Sequence, residues 1–158
     1  MYERILVPLD SSKVGEAALA HVEQLVSKIA PQVKIELILL QVISSLTHYV
    51  IAGEASVQVP YTDREMAQIK RKAKEYLEKT GEVLRSKGVT VKTRVATGRA
   101  AEEIIKAADE LKADLIAMST HGRSGLGRLT FGSITDKVLR SSNVPVLVVR
   151  APKGTENA

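Results

Sequence analysis

Short apolar runs rich in β-branched residues alternate along this chain with stretches whose apolar residues recur at helical spacing. A strand buried on both faces gives a continuous apolar run, and strands separated by helical crossovers lie parallel in one sheet. Few architectures satisfy both conditions. The first run is Ile5-Leu-Val-Pro-Leu9, followed by Asp10-Ser-Ser12 with helix N-cap chemistry. Val14, Ala17, Ala18, His21, Val22, Leu25 and Ile29 then share one helical face, which predicts a packed His21, and Pro31 ends the helix. Residues 35–43 form a second apolar run, and residues 44–61 a long segment without clear periodicity.

Thr62-Asp-Arg-Glu65 has the form of a capping box, and Met66, Ile69, Ala73, Tyr76, Leu77, Val83 and Leu84 give the next helix its stripe. Gly81 is a candidate kink and Gly88 the stop. Residues 89–96 alternate Val with Lys, Thr and Arg, as a strand at a sheet edge does. Gly98 turns the chain; Ala101, Ile104, Ile105, Ala108 and Leu111 mark a short helix; and Leu115-Ile-Ala-Met118 is a buried strand. A helix from Ser133 to about Ser141 and the strand Val144-Pro-Val-Leu-Val-Val149 complete the series. The expectation is an α/β fold: an open, doubly wound, Rossmann-like sheet of five parallel strands with helices on both faces. At 158 residues it forms one domain, expected over residues 1–152 with a disordered tail at 153–158.

Composition removes several function classes. The absence of cysteine excludes disulfides, thiolate metal sites and cysteine nucleophiles. The start, Met1-Tyr-Glu-Arg-Ile, lacks the regions of a signal peptide, and no stretch reaches the ~20 apolar residues of a membrane span, so a cytoplasmic protein without membrane partners is expected. Lys70-Arg-Lys72-Ala-Lys74 invites a nucleic-acid reading, but Glu65, Glu75 and Glu78 beside it and the 3% aromatic content describe a solvated helix face instead. His21, His48 and His121 have no metal-ligand spacing.

The chemistry concentrates in residues 118–133, Met118-Ser-Thr-His-Gly122-Arg-Ser-Gly125-Leu-Gly127-Arg-Leu-Thr-Phe-Gly132-Ser133, where four glycines separate a buried strand from a helix. Glycines let backbone amides approach phosphate oxygens, and a helix N-terminus adds unpaired N–H groups and partial positive charge. Two familiar phosphate motifs fail here. Gly122 to Gly127 has Walker spacing, but Arg128 and Leu129 replace its lysine and hydroxyl. Gly125-Leu-Gly127 begins a dinucleotide fingerprint, but Thr130 stands at its last glycine.

The loop resembles the ATP-binding motif of the universal stress protein family: Gly, two residues, Gly, nine residues, Gly, then Ser or Thr. Gly122, the nine residues from Arg123 to Phe131, Gly132 and Ser133 match it, and Ser119 stands where the pattern has its first glycine. Ile5-Leu-Val-Pro-Leu-Asp10-Ser-Ser, Leu39-Leu-Gln-Val42 and Asn143-Val-Pro-Val-Leu-Val-Val149 resemble the family's first, second and closing strands. The resemblance implies that Pro8, Asp10 and Val42 surround adenine and ribose. It places Met118 and Ser119 on the floor, and Gly122, Gly132, Ser133, Ile134 and Thr135 at ribose and phosphates. It further implies ATP with Mg²⁺ or Mn²⁺ bridging the phosphates, and a homodimer through the last strand. The function implied is a nucleotide-dependent regulatory or stress-response switch, with a slow ATPase or an ATP-independent interaction module as alternatives. Ser119→Gly would restore the pattern and is expected to leave affinity unchanged or raise it.

Overall fold

The computed structural model describes residues 2–29, 33–120 and 132–152. In chain order it runs β1 (Arg4–Pro8), α1 (Ala17–Ile29), β2 (Glu36–Ile43), β3 (Thr47–Ala52), β4 (Ala55–Pro60), α2 (Asp63–Arg85), β5 (Thr90–Thr97), α3 (Ala100–Glu110), β6 (Leu115–Thr120), α4 (Ser133–Ser141) and β7 (Val146–Arg150). Five parallel strands form one sheet in the order β5-β2-β1-β6-β7, as the alternation of runs and helices predicts. The strand of alternating Val and charge, β5, is indeed at an edge.

Period-two alternation along the strands divides the core into two layers. Ile5 and Val7 of β1 and Leu37 and Leu39 of β2 meet Ala18, Val22 and Val26 of α1 and Leu77 and Leu84 of α2 on one face. Leu6, Ile38 and Leu40 turn to the other face, against Ala101, Ile104 and Ala108 of α3 and Val138 of α4. Helices therefore cover both faces. Aliphatic side chains fill this core, with Ile5, Leu6, Val7, Leu37 and Leu39 wholly inaccessible.

The α2 capping box forms as its sequence predicts, with Thr62 Oγ1 accepting from the Glu65 amide at 3.2 Å and Glu65 Oε2 accepting from the Thr62 amide at 2.8 Å. The Thr62 amide, and then the Thr62 hydroxyl, which donates to the same Oε2 at 3.0 Å, hold the Glu65 carboxyl below the usual carboxylate range. Gly81 does not break α2, which runs on to Arg85. It makes room for β5 instead, since an added Cβ would sit 3.2 Å from Val91 Cγ1. Val83, expected in the stripe, is exposed.

Three further readings change. The helix after Asp10 and Ser12 begins at Ala17, because those side chains cap a preceding turn: Asp10 Oδ1 accepts from the Ser12 amide at 2.9 Å, and Ser12 Oγ from the Gly15 amide at 3.0 Å. His21 is exposed, beside a buried face built by Ala18, Leu19, Val22 and Val26, with Nδ1 3.2 Å from the Ala17 carbonyl oxygen. Residues 44–61 contain an antiparallel hairpin of β3 and β4, in which Thr47 faces Pro60 and Ala52 faces Ala55. Its signal was Gly53-Glu54 between an apolar run, Tyr49-Val-Ile-Ala52, and a short alternating one, Ser56-Val-Gln-Val59. Gly53 takes φ +66°, as the first central residue of a two-residue hairpin turn can.

Candidate nucleotide-binding cleft

The strand order reverses between β1 and β6, and in open α/β sheets ligands bind beyond the carboxyl ends of the strands at such a reversal. Here the sequence itself opens the crevice. Leu9 donates to the Leu40 carbonyl at 2.7 Å, so alternate residues of β1 face β2, while Pro8, one residue earlier, faces β6. A proline has no N–H to donate. Accordingly β1 stays in register with β2 through Pro8 opposite Leu40, but with β6 only at Ile5 opposite Leu115 and Leu6 opposite Ile116.

A cleft of about 470 Å³ occupies this place. Of the ten residues singled out from the sequence, nine line it: Pro8, Asp10, Val42, Met118, Ser119, Gly132, Ser133, Ile134 and Thr135. The tenth, Gly122, lies outside the described residues, as do His121, Arg123 and Arg128. Leu9 and Thr120, inside the stretches 8–12 and 118–133 to which the strand-reversal rule points in the sequence, also line it, as do Gly15, Ser44, Ala100 and Ile104, which sequence reasoning missed. Ser44 lies just past the carboxyl end of β2, so the reversal rule extended beyond Val42 would have found it. Ala100 opens α3 at that same end of the sheet.

Gly132 precedes α4 with φ −53° and ψ 151°, and no side chain caps the helix. The first-turn amides of Ser133, Ile134 and Thr135 have no partner within a helix at that position. An added Cβ on Gly132 would meet no described atom within 4 Å, so the backbone here borders open cleft. Thr135 is buried and lines the cleft.

The opposite wall is a hydrogen-bonded loop. Asp10 Oδ1 accepts from both the amide and the hydroxyl of Ser12. Gly15 packs so closely that an added Cβ would lie 2.5 Å from that oxygen. Ser119 ties this wall to β6, with Oγ accepting from the Ala18 amide at 2.7 Å and donating to the Gly15 carbonyl at 2.9 Å. Ala18 lies in the first turn of α1, where an amide otherwise lacks a helical partner, so Ser119 caps that helix from a strand about a hundred residues away. Nearby, the Tyr76 hydroxyl donates to Glu16 Oε1 at 3.0 Å, and burial together with that carboxylate pushes the phenol above its usual range.

Asp10 is the one carboxylate among the described lining residues, and no group of three or more His, Asp or Glu that could hold a metal occurs among the described residues. No described helix is long and apolar enough to cross a membrane.

A sequence model of the universal stress protein family matches residues 1–150. The chain is 34% identical over 160 residues to universal stress protein MJ0577 of Methanocaldococcus jannaschii, across 95% of this chain and 96% of the other. The solved structure of MJ0577 matches with TM-score 0.73 at 30% identity, covering 98% and 99% of the two chains. A universal stress protein from Archaeoglobus fulgidus, solved in complex with dAMP, shares the fold at TM-score 0.61 and 19% identity, over 93% of this chain and 97% of that one. A further universal stress protein structure, solved in complex with cAMP, shares the fold at TM-score 0.64 and 22% identity, over 94% and 97% of the two chains. With the family match spanning both halves of the sheet and the cleft between them, the chain belongs to the universal stress protein family.

Proposed function

We propose that this chain binds ATP in the cleft at the strand reversal and works as a nucleotide-dependent regulatory or stress-response switch, in the form of a homodimer. The observation that carries the reading is the convergence of nine residues, from three strands and a helix start, on one crevice. Two proteins of the same fold have been solved with adenine nucleotides, dAMP and cAMP.

The division of labour follows from the two walls. Pro8, Val42 and Met118 offer apolar surface to a flat base, while Asp10, with Oδ1 engaged by Ser12, keeps Oδ2 as an acceptor for a ribose hydroxyl. Phosphates suit the other wall, where the amides of Ser133, Ile134 and Thr135 and the Ser133 hydroxyl supply donors at a helix N-terminus. Mg²⁺ or Mn²⁺ fits this cleft as an ion held by the phosphates, since the described side chains provide Asp10 and no further carboxylate; such an ion would neutralise phosphate charge. Hydrolysis would need a residue that places water in line with the phosphates, and among the described lining residues none is a histidine or a second carboxylate.

Calorimetric titration of ATP and GTP tests the reading, together with identification of the small molecule released when the purified protein is denatured. ATP is expected to bind more tightly, and an adenine nucleotide is expected in the released fraction. Equal affinities would sink the assignment of the base. Fast ATP hydrolysis by the protein alone would move it to the enzyme class.

A further inference from the structure

The cleft wall that contains Asp10 and Gly15 belongs to the connection between β1 and α1, and part of it is held in a conformation it would not keep alone. Ser11 takes φ +67°, in the left-handed region that residues with a Cβ occupy where their neighbours hold them there. Its own hydroxyl meets Gln41 Oε1 at 3.4 Å on the exposed side, long for such a bond.

The shorter bonds form a chain that leads inward. Asp10 Oδ1 accepts from the Ser12 amide at 2.9 Å and from the Ser12 hydroxyl, and Ser12 Oγ accepts from the Gly15 amide at 3.0 Å. The Gly15 carbonyl then accepts from Ser119 Oγ at 2.9 Å, and Ser119 Oγ accepts from the Ala18 amide at 2.7 Å. Ser119 lies on β6, between β1 and β7 in the sheet. The wall is therefore fastened to rigid structure at Ser119, with Asp10 at the free end of the chain. Every proton in it has one possible place: an amide donates and a carbonyl or carboxylate accepts, so both serine hydroxyls are committed. At Gly15 there is no slack, because an added Cβ would stand 2.5 Å from Asp10 Oδ1.

We propose that Ser119 is a positioning residue for the sugar of the nucleotide: by fixing the Asp10 loop it makes the site choose a ribonucleotide over one that lacks a ribose hydroxyl. The inference rests on the nucleotide reading above, in which Asp10 Oδ2 accepts from the ribose. A carboxylate held in place, with its other oxygen engaged, is left unpaired by a sugar that lacks the hydroxyl. On a loose loop the same carboxylate turns to water and discriminates little. The family pattern has glycine where Ser119 stands, so the hydroxyl that aims Asp10 comes from this chain's own departure from it.

Calorimetric titration of the full chain with ATP, 2′-deoxy-ATP and 3′-deoxy-ATP tests it. The parent is compared with Ser119→Ala, Ser119→Thr and Ser12→Ala, at a temperature where parallel melts show the proteins folded. The parent is expected to bind one of the two deoxynucleotides about tenfold or more weakly than ATP, as the loss of one charge-assisted hydrogen bond implies. Ser119→Ala and Ser12→Ala should bring that ratio close to unity, and Ser119→Thr, which keeps the hydroxyl, should preserve it. A merely structural role would weaken all three nucleotides alike and leave the ratio where it was. If Ser119→Ala does not fold, Ser12→Ala reads the same ratio from the middle of the chain. A parent that binds the three nucleotides equally, a ratio unmoved by the alanines, or a ratio lost in Ser119→Thr as well overturns the proposal and leaves the nucleotide site standing. A parent that binds none of the three overturns the nucleotide reading and this inference with it.

Discussion

At Gly132 the backbone angles are ones any residue adopts and an added Cβ meets no described atom, so Gly132→Val should fold as the parent does. Its side chain would nevertheless stand in front of the α4 amides. Losing one or two charge-assisted hydrogen bonds at ~1.5–3 kcal/mol each should weaken ATP binding about a hundredfold, at ~1.4 kcal/mol per decade. Calorimetry with a parallel melt checks this: parent-like binding at a parent-like melting temperature would place the phosphates elsewhere. Ser119 shows how one residue's meaning depends on its partners. From the motif alone, Ser119→Gly restores the pattern and leaves binding unchanged or better. The structure gives that hydroxyl two bonds, to the Ala18 amide and the Gly15 carbonyl. At ~0.5–1.5 kcal/mol per bond, Ser119→Gly should cost about 1–3 kcal/mol of stability and loosen the Asp10–Gly15 wall, whereas Ser119→Thr keeps the hydroxyl. A urea midpoint unmoved by Ser119→Gly would show that the tie contributes nothing.

At the level of the element, β7 has a free edge whose donors can be counted. Ile116 donates to the Pro145 carbonyl at 2.9 Å and Ala151 to the Thr120 carbonyl at 3.1 Å, so odd-numbered residues from 145 to 151 face β6. Alternation then turns the amides of Val146, Val148 and Arg150 outward. Val148→Pro removes an outward donor without removing a bond to β6. If copies pair through this strand, light scattering at micromolar concentration should show the parent's mass fall by half in the variant; an unchanged mass would exclude the edge from the dimer. The helix α2 illustrates what an element owes to its own sequence. Its capping box and its stop at Gly88 are local chemistry and are legible in four or five residues, but the exposure of Val83 depends on which face β5 and β2 cover.

For the whole molecule, the carboxylates that bind elements together set the response to acid. Hydrogen bonds from the Arg4 and Glu3 amides hold Asp114 below its usual range, joining the start of β1 to the approach of β6. The Thr93 hydroxyl, then Arg85, does the same for Glu78, joining α2 to β5. Lys137 lowers Glu102 between α3 and α4, and Arg94 lowers Glu110 between β5 and α3. In each case the folded pKa lies below the unfolded one, so the unfolded chain binds more protons as pH falls. The stability these ties contribute is complete above the unfolded carboxylate pKa of about 4 and is lost as pH descends through the folded values. Melting temperature should therefore hold between about pH 7 and 5 and fall steeply below about pH 4, with Asp114→Asn reducing the fall. A melting temperature unchanged down to about pH 3 would mean that these bonds do not form in solution.

What the amino-acid order determined by itself is what short-range physical chemistry can express: the two periodicities that separate strands from helices, the caps and glycines that bound them, and the glycine loop between β6 and α4. The nine residues that line one cleft were named by the resemblance to the universal stress protein family, which those signals carry only in part. Tertiary structure decided the rest, because the remaining features depend on groups far apart in the chain. The splay of β1 from β6 needs Pro8 to face a strand that begins at Leu115. The Ser119 tie needs the first turn of α1 to lie over β6. His21 could not be told from its packed neighbours by spacing, since one helical step decides whether a side chain points into the sheet or past it. Burial and hydrogen bonding are properties of the pair that meets, and a sequence states only one member of the pair at a time.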